Sequence, residues 1–356
     1  AETLARLEHP IDPRTRVGRL PLGLQQIVEI ARALVQVVRI LMMDEPTSAL
    51  SAVEVEALFR VIRDLVRQGV AVVYISHRLE ELMQIGDRIT VLRDGRRVAH
   101  APASEVDLPW IVENMVGRPG RSPRERGASP EGADVLEVKG LALPGPVGER
   151  LLDDVSLSVR GGEVVALYGL MGAGRTELLE SLAGARRAVA GHVTVGGEPV
   201  GGLALPERIR KGLTLIPEDR QGAGIVPPLS VAHNVTLASL RDHARGVFLV
   251  RAKERATVER MQRQLDIRMA DPDRPIPTLS GGNQQKPVVA RALLTSPRVL
   301  LMDEPTRGID VAARAEMFDL MRRLANQGLA VLYSSSDLKE VVGIADRVVV
   351  LSNGRV

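Results

Sequence analysis

Residues 169–176 read Gly-Leu-Met-Gly-Ala-Gly-Arg-Thr, and this stretch decides the fold of the second half of the chain. An apolar run from Glu163 to Leu167 precedes it and a helical pattern follows it, which is the setting of a phosphate-binding P-loop. Glycines let backbone N–H groups curl around phosphate oxygens, and a helix N-terminus adds a favourable field. We therefore predict a strand, a phosphate-binding loop and a helix; a glycine-rich turn without a ligand is the alternative.

Arg175 stands at the position where a P-loop carries lysine. It keeps the positive charge, but its planar fork differs from a compact ammonium, so we expect nucleotide binding in an altered geometry and inefficient turnover. The hydroxyl of Thr176 is a candidate Mg²⁺ ligand. The candidate nucleotide-binding residues of this loop are Gly169, Gly172, Ala173, Gly174, Arg175, Thr176 and Glu177.

A second set of motifs occurs twice, at a constant separation of 259 positions. Gly23 matches Gly282 and Asp44 matches Asp303 at this offset. A period this long indicates a duplicated domain rather than a solenoid repeat. The same offset would place the P-loop of the first copy before Ala1, so we expect the first copy to be truncated at its N-terminus.

A stretch from Gly117 to Asp134 is rich in glycine, proline and arginine, which is typical of a flexible linker. We predict that residues 1–117 are the C-terminal part of a first domain, 118–134 a linker and 135–356 a second domain. Short apolar strands alternate with amphipathic helices in both copies. The fold class is therefore α/β, with a mostly parallel sheet covered on both faces.

Each copy has an apolar run that ends in Asp-Glu-Pro-Thr. The first acid, Asp44 or Asp303, would emerge at the carboxyl edge of the sheet and bind Mg²⁺. The second, Glu45 or Glu304, is a candidate catalytic residue that orients or deprotonates the attacking water. A solvated acidic pair is the alternative, but two identical tetrapeptides in register make it the weaker interpretation.

A hydroxyl and two glycines open a helix at Leu279-Ser280-Gly281-Gly282-Asn283. Such a helix start suits a γ-phosphate presented by another subunit or domain, and a plain helix N-cap is the alternative. Pro21 replaces the serine in the first copy, which removes a hydroxyl and an N–H donor. Pro287 would clash with the carbonyl of Asn283 unless the second helix begins late.

His77 follows an apolar strand of the first copy and is a candidate catalytic contact to the same γ-phosphate. A lone histidine is more often structural or solvated. Its counterpart in the second copy is Ser336, which cannot act as a cation or a base. The sequence therefore predicts that the first copy has the better catalytic residues and the second copy the better helix start.

The composition of the 356-residue chain is 45% hydrophobic and 26% charged, as in soluble globular proteins. Its net charge of +3 gives no argument for binding nucleic acid. The absence of cysteine excludes a disulfide framework and a cysteine-ligated zinc site. No apolar run approaches the roughly 20 residues that span a bilayer, and no secretion signal is visible.

Together these motifs resemble the ABC ATPase family, and the tandem arrangement resembles the ATP-binding subunit of sugar-type ABC importers of the ribose/galactose/xylose class. The resemblance implies P-loop NTPase domains of the ABC type in tandem, the first incomplete, with ATP and Mg²⁺ as cofactors. It also implies transmembrane permease subunits and, indirectly, a solute-binding protein as partners. The chain would lie peripherally at the cytoplasmic face of the plasma membrane. Further supporting segments are 11–15, 45–50, 75–79, 216–220 and 304–310.

The family's two nucleotide sites are composite, and each joins the P-loop of one half to the helix start of the other. The resemblance implies that Asp44, Glu45 and His77 share one site with residues 280–283. The other site would join the 169–176 loop, Asp303 and Glu304 to Gly23. Glu218 falls at the family's Q-loop position, and residues 222–235 are expected to contact the permease.

Two other functions stay open at this point. One is a soluble tandem ABC protein that acts on ribosomes, although such proteins resemble pairs of intact sites joined by a long charged helix. The other is a degenerate fragment that binds nucleotide without turnover. Whichever function holds, we expect the 356-residue chain alone to hydrolyse ATP very slowly, because its P-loop would work with Arg175, Ser336 and a helix start that lacks serine.

Overall fold

The structure is a computed structural model that divides into two compact units, Ala1–Gly120 and Arg121–Val356. The division falls within residues 118–134, whose role as a linker stays a prediction. The residues that the structure describes are 11–12, 14–20, 22–34, 38–47, 50, 52–76, 78–93, 95–116, 132–145, 150–170, 172–246 and 248–356.

The first unit contains a parallel strand pair, a hairpin and helices packed on one side of the pair. Its elements are α1 (Leu22–Leu34), β1 (Ile40–Asp44), α2 (Ala52–Arg67), β2 (Ala71–Ile75), α3 (Leu79–Ile85), β3 (Arg88–Arg93), β4 (Arg96–Pro102) and α4 (Leu108–Val116). Strands β1 and β2 pair from Ile40↔Ala71 to Asp44↔Ile75, and β3 pairs antiparallel with β4.

Only one face of the β1–β2 pair is buried among the described residues. Leu41 and Met43 lie in the core with residues of α1 and α2, whereas Ile40 and Met42 on the other face are 60% and 75% exposed. The described part of the first unit therefore covers this strand pair on one face, whereas the expectation was a sheet covered on both faces. The apolar run could not reveal this, because strands buried on one face or on two both carry apolar residues here.

The second unit is built on a five-stranded parallel sheet. Its first elements are β5 (Asp134–Pro144), β6 (Arg150–Arg160), β7 (Val164–Tyr168), α5 (Arg175–Ala183), β8 (Ala190–Val195), β9 (Glu198–Pro199), α6 (Leu205–Arg210) and β10 (Leu213–Ile216). The elements that follow are α7 (Val231–Thr236), β11 (Ala244–Arg245), β12 (Phe248–Leu249), α8 (Arg251–Leu265), α9 (Gly281–Leu293), β13 (Val299–Met302), α10 (Val311–Asn326), β14 (Ala330–Ser335), α11 (Leu338–Ile344) and β15 (Arg347–Val350). The strand order of the parallel sheet is β10-β13-β14-β7-β15.

The parallel sheet of the second unit is covered on both faces, as predicted. Val164 and Ala166 of β7 point into one apolar core with α8, α9 and α10, and Val165 and Leu167 point into another. This second core is shared with an antiparallel sheet of order β6-β5-β8-β9, which the sequence reasoning did not predict.

Because the strands are parallel, the carboxyl ends of β7, β13 and β14 meet at one edge of the sheet. The phosphate-loop motif begins immediately after β7, and α5 begins at its arginine. Among the described residues, no helix is both long and apolar enough to cross a membrane.

Candidate nucleotide-binding site

The loop after β7 has a backbone that requires glycine. Gly172 and Gly174 have φ values of 80° and 100°, in the left-handed region. A Cβ on Gly174 would lie 2.8 Å from the carbonyl oxygen of Leu151, and one on Gly169 would lie 2.5 Å from that of Leu351. The N–H of Ala173 donates to the carbonyl of Leu170 at 3.0 Å. Close contacts thus fix the loop at the start of α5.

Arg175 contacts the glutamate at the end of the neighbouring strand. Its Nη1 atom lies 2.8 Å from Oε1 of Glu304, and both side chains are only 12% exposed. Within the described part of the chain, this buried Nη1 is aligned with no acceptor for a hydrogen bond. The contact is therefore an ion pair held by charge rather than by a directed hydrogen bond.

Asp303 is enclosed by hydroxyl groups, at 2% exposure. Ser334 Oγ donates to its Oδ1 at 2.5 Å, and the Thr176 hydroxyl lies beside the carboxylate. Burial raises the pKa of Asp303 above its usual range, although the hydroxyls of Ser334 and Thr176 and the charge of Arg175 act in the opposite direction. A hydroxyl and a carboxylate in contact are the oxygen ligands that Mg²⁺ prefers, so these residues fit that ion.

Ser334 was missed by the sequence reasoning. It is fully buried at the end of β14, and it also accepts a hydrogen bond from the backbone N–H of Glu304 at 2.8 Å. A polar residue in an otherwise apolar strand beside the strand that carries Asp303 is a signal that could have indicated it. Ser334 thereby connects the two acidic residues.

The structure places Ser280 at the N-cap of α9, with Gly281 as the first helical residue. The Ser280 hydroxyl accepts from the amide of Asn283 at 3.2 Å, and within the described residues it caps none of the helix N–H groups. A Cβ on Gly282 would lie 2.4 Å from that of Ala313, so this glycine allows close packing against α10. Ser280 is therefore exposed at the start of this helix.

Pro287 lies inside α9, which begins at Gly281 and continues to Leu293. The late helix start that would have avoided the clash with the Asn283 carbonyl is therefore not what the structure shows. The described structure offers no functional account of this proline.

The segment that was expected to contact the permease is partly core. Ile225 and Val231 are 4% and 0% exposed and pack in the interior, while Val226 is 36% exposed. The apolar pattern of residues 222–235 therefore reflects burial at Ile225 and Val231, and a contact of this segment with the permease stays a prediction. Glu218, at the expected Q-loop position, forms an ion pair with Arg307.

In the first unit, Asp44 and Glu45 lie exposed at the end of β1. Glu45 has a φ of 45° and Glu304 a φ of 42°, so both copies carry the same left-handed turn after the aspartate. The N–H of Glu45 donates to the carbonyl of Ile75 at 2.8 Å. His77 lies outside the described residues, and its predicted role stays a prediction.

A buried glutamate in each copy was also missed. Glu81 accepts from the Thr47 hydroxyl at 2.8 Å and from Ser76 at 3.2 Å. At the 259-residue offset, Glu340 accepts from Thr306 at 2.9 Å and from Ser335 at 2.7 Å.

Each of these glutamates is 7% exposed. In each copy the glutamate connects the threonine of the Asp-Glu-Pro-Thr motif to a serine at the end of the next strand. This serine immediately precedes His77 in the first copy and Ser336 in the second. Comparing the two copies residue by residue at the known offset would have found them.

Comparison with known proteins agrees with this geometry. Residues 152–307 match a family model described as ABC transporter. The ribose import ATP-binding protein RbsA 1 of Rubrobacter xylanophilus is 48% identical over 356 residues, which is 100% of this chain and 70% of that protein. The arabinose import ATP-binding protein AraG 2 of Burkholderia thailandensis is 46% identical over 361 residues, covering 99% of this chain and 67% of that protein.

Solved structures show the same fold. A nucleotide-free ATP-binding cassette from an ABC transporter matches with a TM-score of 0.55 and 23% identity, over 63% of this chain and 89% of that one. A dimeric bacterial ABC transporter cassette matches with a TM-score of 0.54 and 23% identity, over 62% of this chain and 96% of that one.

The chain therefore belongs to the ATP-binding proteins of the ABC transporter family, an ABC-type ATPase with the P-loop NTPase fold. Within that family it belongs with the sugar-import ATP-binding proteins, as its resemblance implied. The ribosomal and non-catalytic alternatives are not favoured by these relatives.

Proposed function

We propose that this chain is the ATP-binding subunit that energises import of a sugar or a similar small solute. The observation that carries the proposal is the meeting of Arg175, Thr176, Asp303 and Glu304 at the carboxyl edge of the parallel sheet, at the start of α5. These are the charges and oxygen ligands that bind and position a nucleoside triphosphate.

The loop after β7 would bind the phosphates through backbone N–H groups at the start of α5, with Arg175 supplying the positive charge. Thr176 and Asp303 would hold Mg²⁺, which when bound neutralises charge on the phosphate oxygens. Glu304 would orient the attacking water. In the first unit, Asp44 would hold Mg²⁺, and Glu45 and His77 would supply the corresponding catalytic groups.

The remaining residues and partners extend the same proposal. Ser280, Gly281, Gly282 and Asn283 would contact the γ-phosphate of a nucleotide held by another P-loop. Residues 1–117 and 135–356 would be two ATPase domains joined by the 118–134 linker. The chain would act at the cytoplasmic face of the membrane, docked on permease subunits that receive solute from a binding protein.

Uptake of labelled sugar into vesicles tests this function directly. The protein is reconstituted with its co-expressed permease subunits, and ATP-dependent uptake of ribose, arabinose and xylose is measured with the binding protein present. In a longer protein that supplies a P-loop to the first copy, we expect Glu45→Gln to lower uptake and ATP turnover by about 10²-fold or more, as for loss of a general base. Glu198→Gln, at an exposed ion pair with Lys211, is the charge-matched control and should leave both unchanged.

Two outcomes would count against the proposal. ATP-independent uptake, or none of any sugar tested with a functional permease, would contradict the importer function. If Glu45→Gln left turnover unchanged while Glu304→Gln abolished it, the assignment of the more active site to the first copy would be reversed.

A further inference from the structure

Arg175 and Glu304 are opposite charges buried together beside the phosphate loop. We propose that Glu304 is the counter-ion of Arg175 before nucleotide binds, and that it competes with the phosphates for this guanidinium and so sets the affinity of the site. The proposal rests on the proposed function in one respect, namely that this loop binds ATP.

The first step is the need of Arg175 for an anion. A guanidinium stays protonated in proteins, and at 12% exposure it has little water to stabilise its charge. Asp303 is also close enough to feel the charge of Arg175, but its oxygens are engaged by the hydroxyls of Ser334 and Thr176. Glu304 is the carboxylate in direct contact, at 2.8 Å.

The second step is that phosphate is the stronger partner. The Arg175–Glu304 contact lacks hydrogen-bond alignment at Nη1, whereas an arginine and a phosphate can form two parallel charge-assisted hydrogen bonds. Phosphate and carboxylate also repel each other when both approach one guanidinium. Binding of ATP is therefore expected to exchange one partner of Arg175 for the other.

The third step is that the exchange needs only a side-chain movement. The N–H of Glu304 is held by Ser334 Oγ at 2.8 Å, and its φ of 42° fixes the turn after Asp303. The peptide therefore stays in place while the carboxylate changes rotamer and leaves Arg175. The released carboxylate is then free for the water-orienting role that the proposed function gives it.

The consequence is a pair of effects with opposite signs. The carboxylate stabilises the chain before nucleotide binds, because it compensates a buried cation. The same carboxylate weakens nucleotide binding, because its contact must be broken first. A residue with a purely structural role would lower stability without tightening the binding of ATP.

The experiment measures binding of ATP to the 356-residue chain by titration calorimetry in EDTA, so that neither Mg²⁺ nor turnover contributes. We expect Glu304→Gln to bind ATP about tenfold more tightly, which corresponds to about 1.4 kcal/mol. The same variant should have a lower Tm without nucleotide. Glu304→Asp, which keeps the charge but shortens its reach, should tighten binding in the same direction.

Two controls separate direct competition from a general charge effect. Glu198→Gln removes one negative charge at an exposed ion pair on β9 and should leave the Kd for ATP unchanged. In an Arg175→Ala background the effect of Glu304→Gln should be clearly smaller, because only the repulsion between Glu304 and the phosphates then remains, and a double-mutant cycle isolates the interaction between the two residues.

Three results would overturn the proposal. If Glu304→Gln and Glu304→Asp bound ATP no more tightly than the unaltered chain, the competition would be disproved while the proposed function stood. If the gain were undiminished without Arg175, direct competition would likewise be wrong. Absence of ATP binding in every variant would reject both the competition and the assignment of this loop as a nucleotide site.

Discussion

The two copies of the duplicated motifs have the same backbone but surround their acidic residues differently. Helix α1 (Leu22–Leu34) and helix α9 (Gly281–Leu293) begin and end at positions that differ by 259 residues. Glu45 after β1 and Glu304 after β13 both have a left-handed φ. In the second copy Asp303 is 2% exposed and Glu304 is paired with Arg175. In the first copy both acids are exposed.

One sequence difference between the copies lies beside these acidic residues. Ser334 at the end of β14 binds both acidic residues of the second copy, and its counterpart at the end of β2 is Ile75, which is 52% exposed. By contrast, the buried glutamate with its threonine and serine partners is kept in both copies. The buried glutamate (Glu81 or Glu340) with its threonine and serine partners is therefore a shared frame of both copies. The polar group that binds the acidic residues directly, Ser334, is specific to the second copy.

The shared frame, the buried glutamate of each copy with its hydroxyl partners, predicts the largest effect on stability. Glu340→Ala should lower the free energy of unfolding of the second unit by about 3 kcal/mol, because buried hydroxyls lose their acceptor and the cation of Arg314 loses a partner at 3.2 Å. Glu81→Ala should have a comparable effect on the first unit, since the hydroxyls of Thr47, Tyr74 and Ser76 all donate to Glu81. Urea unfolding with peptide-resolved hydrogen exchange measures each unit separately.

Glu340→Gln and Glu81→Gln are the matched controls for this prediction. They keep the shape and one acceptor oxygen, so each should cost less than its alanine counterpart. If either alanine variant lost less than about 0.5 kcal/mol, as an ordinary surface substitution does, the two copies would not share a frame.

The specific polar group predicts the next largest effect. Ser334→Ile gives the second copy the residue of the first, removes the hydroxyl that binds both Asp303 and the N–H of Glu304, and overfills a fully buried position. We expect a loss of about 2 kcal/mol in the free energy of unfolding, measured in urea. The reverse change, Ile75→Ser, should shift stability by only about 0.5 kcal/mol because the position is half-exposed. Equal losses in the two copies would contradict the assigned role of Ser334.

Local patterns predicted the loop, the strand before it and the helix after it, because glycine content and apolar periodicity are read within a few residues. Contacts between distant residues were not accessible in that way: Ser334 lies 31 positions from Asp303, and Glu340 lies 34 from Thr306. The antiparallel sheet was missed because β5 and β6 pair with several register shifts, which interrupt a simple alternation. The exposed face of β1 was missed because an apolar strand sequence does not reveal whether helices or a second sheet pack on both of its faces.

A smaller effect is expected at the proline that distinguishes the two helices. Pro287 occupies the interior of α9, where the corresponding residue of α1 is Val28. Pro287→Val should raise the free energy of unfolding of the second unit by about 1–2 kcal/mol, because it restores a helix N–H and removes a ring beside the Asn283 carbonyl. The measurement is again urea unfolding, with Val289→Ala as a core-packing control that should lower stability. A loss of stability in Pro287→Val would show that the surrounding core is fitted to the proline ring.

The smallest expected effect is a change of slope with pH. Burial raises the pKa of Glu340 above its usual range, although the hydrogen bonds from Ser335 and Thr306 and the charge of Arg314 act against it. The folded chain therefore keeps this proton at pH values where the unfolded chain, with an ordinary pKa of about 4.3, has lost it. Stability from this residue is present below that pH and is lost as pH rises through the folded pKa.

Glu340→Gln should remove this decline, so the difference in unfolding free energy between variant and unaltered chain should change with pH by at most about 1.4 kcal/mol per unit. The raised pKa of Asp303 is common to both proteins and cancels in this difference. The unfolding free energies are compared from about pH 4 to about pH 8, a range that begins near the ordinary carboxyl pKa. If the difference between Glu340→Gln and the unaltered chain stayed constant over this range, Glu340 would titrate alike in the folded and unfolded states.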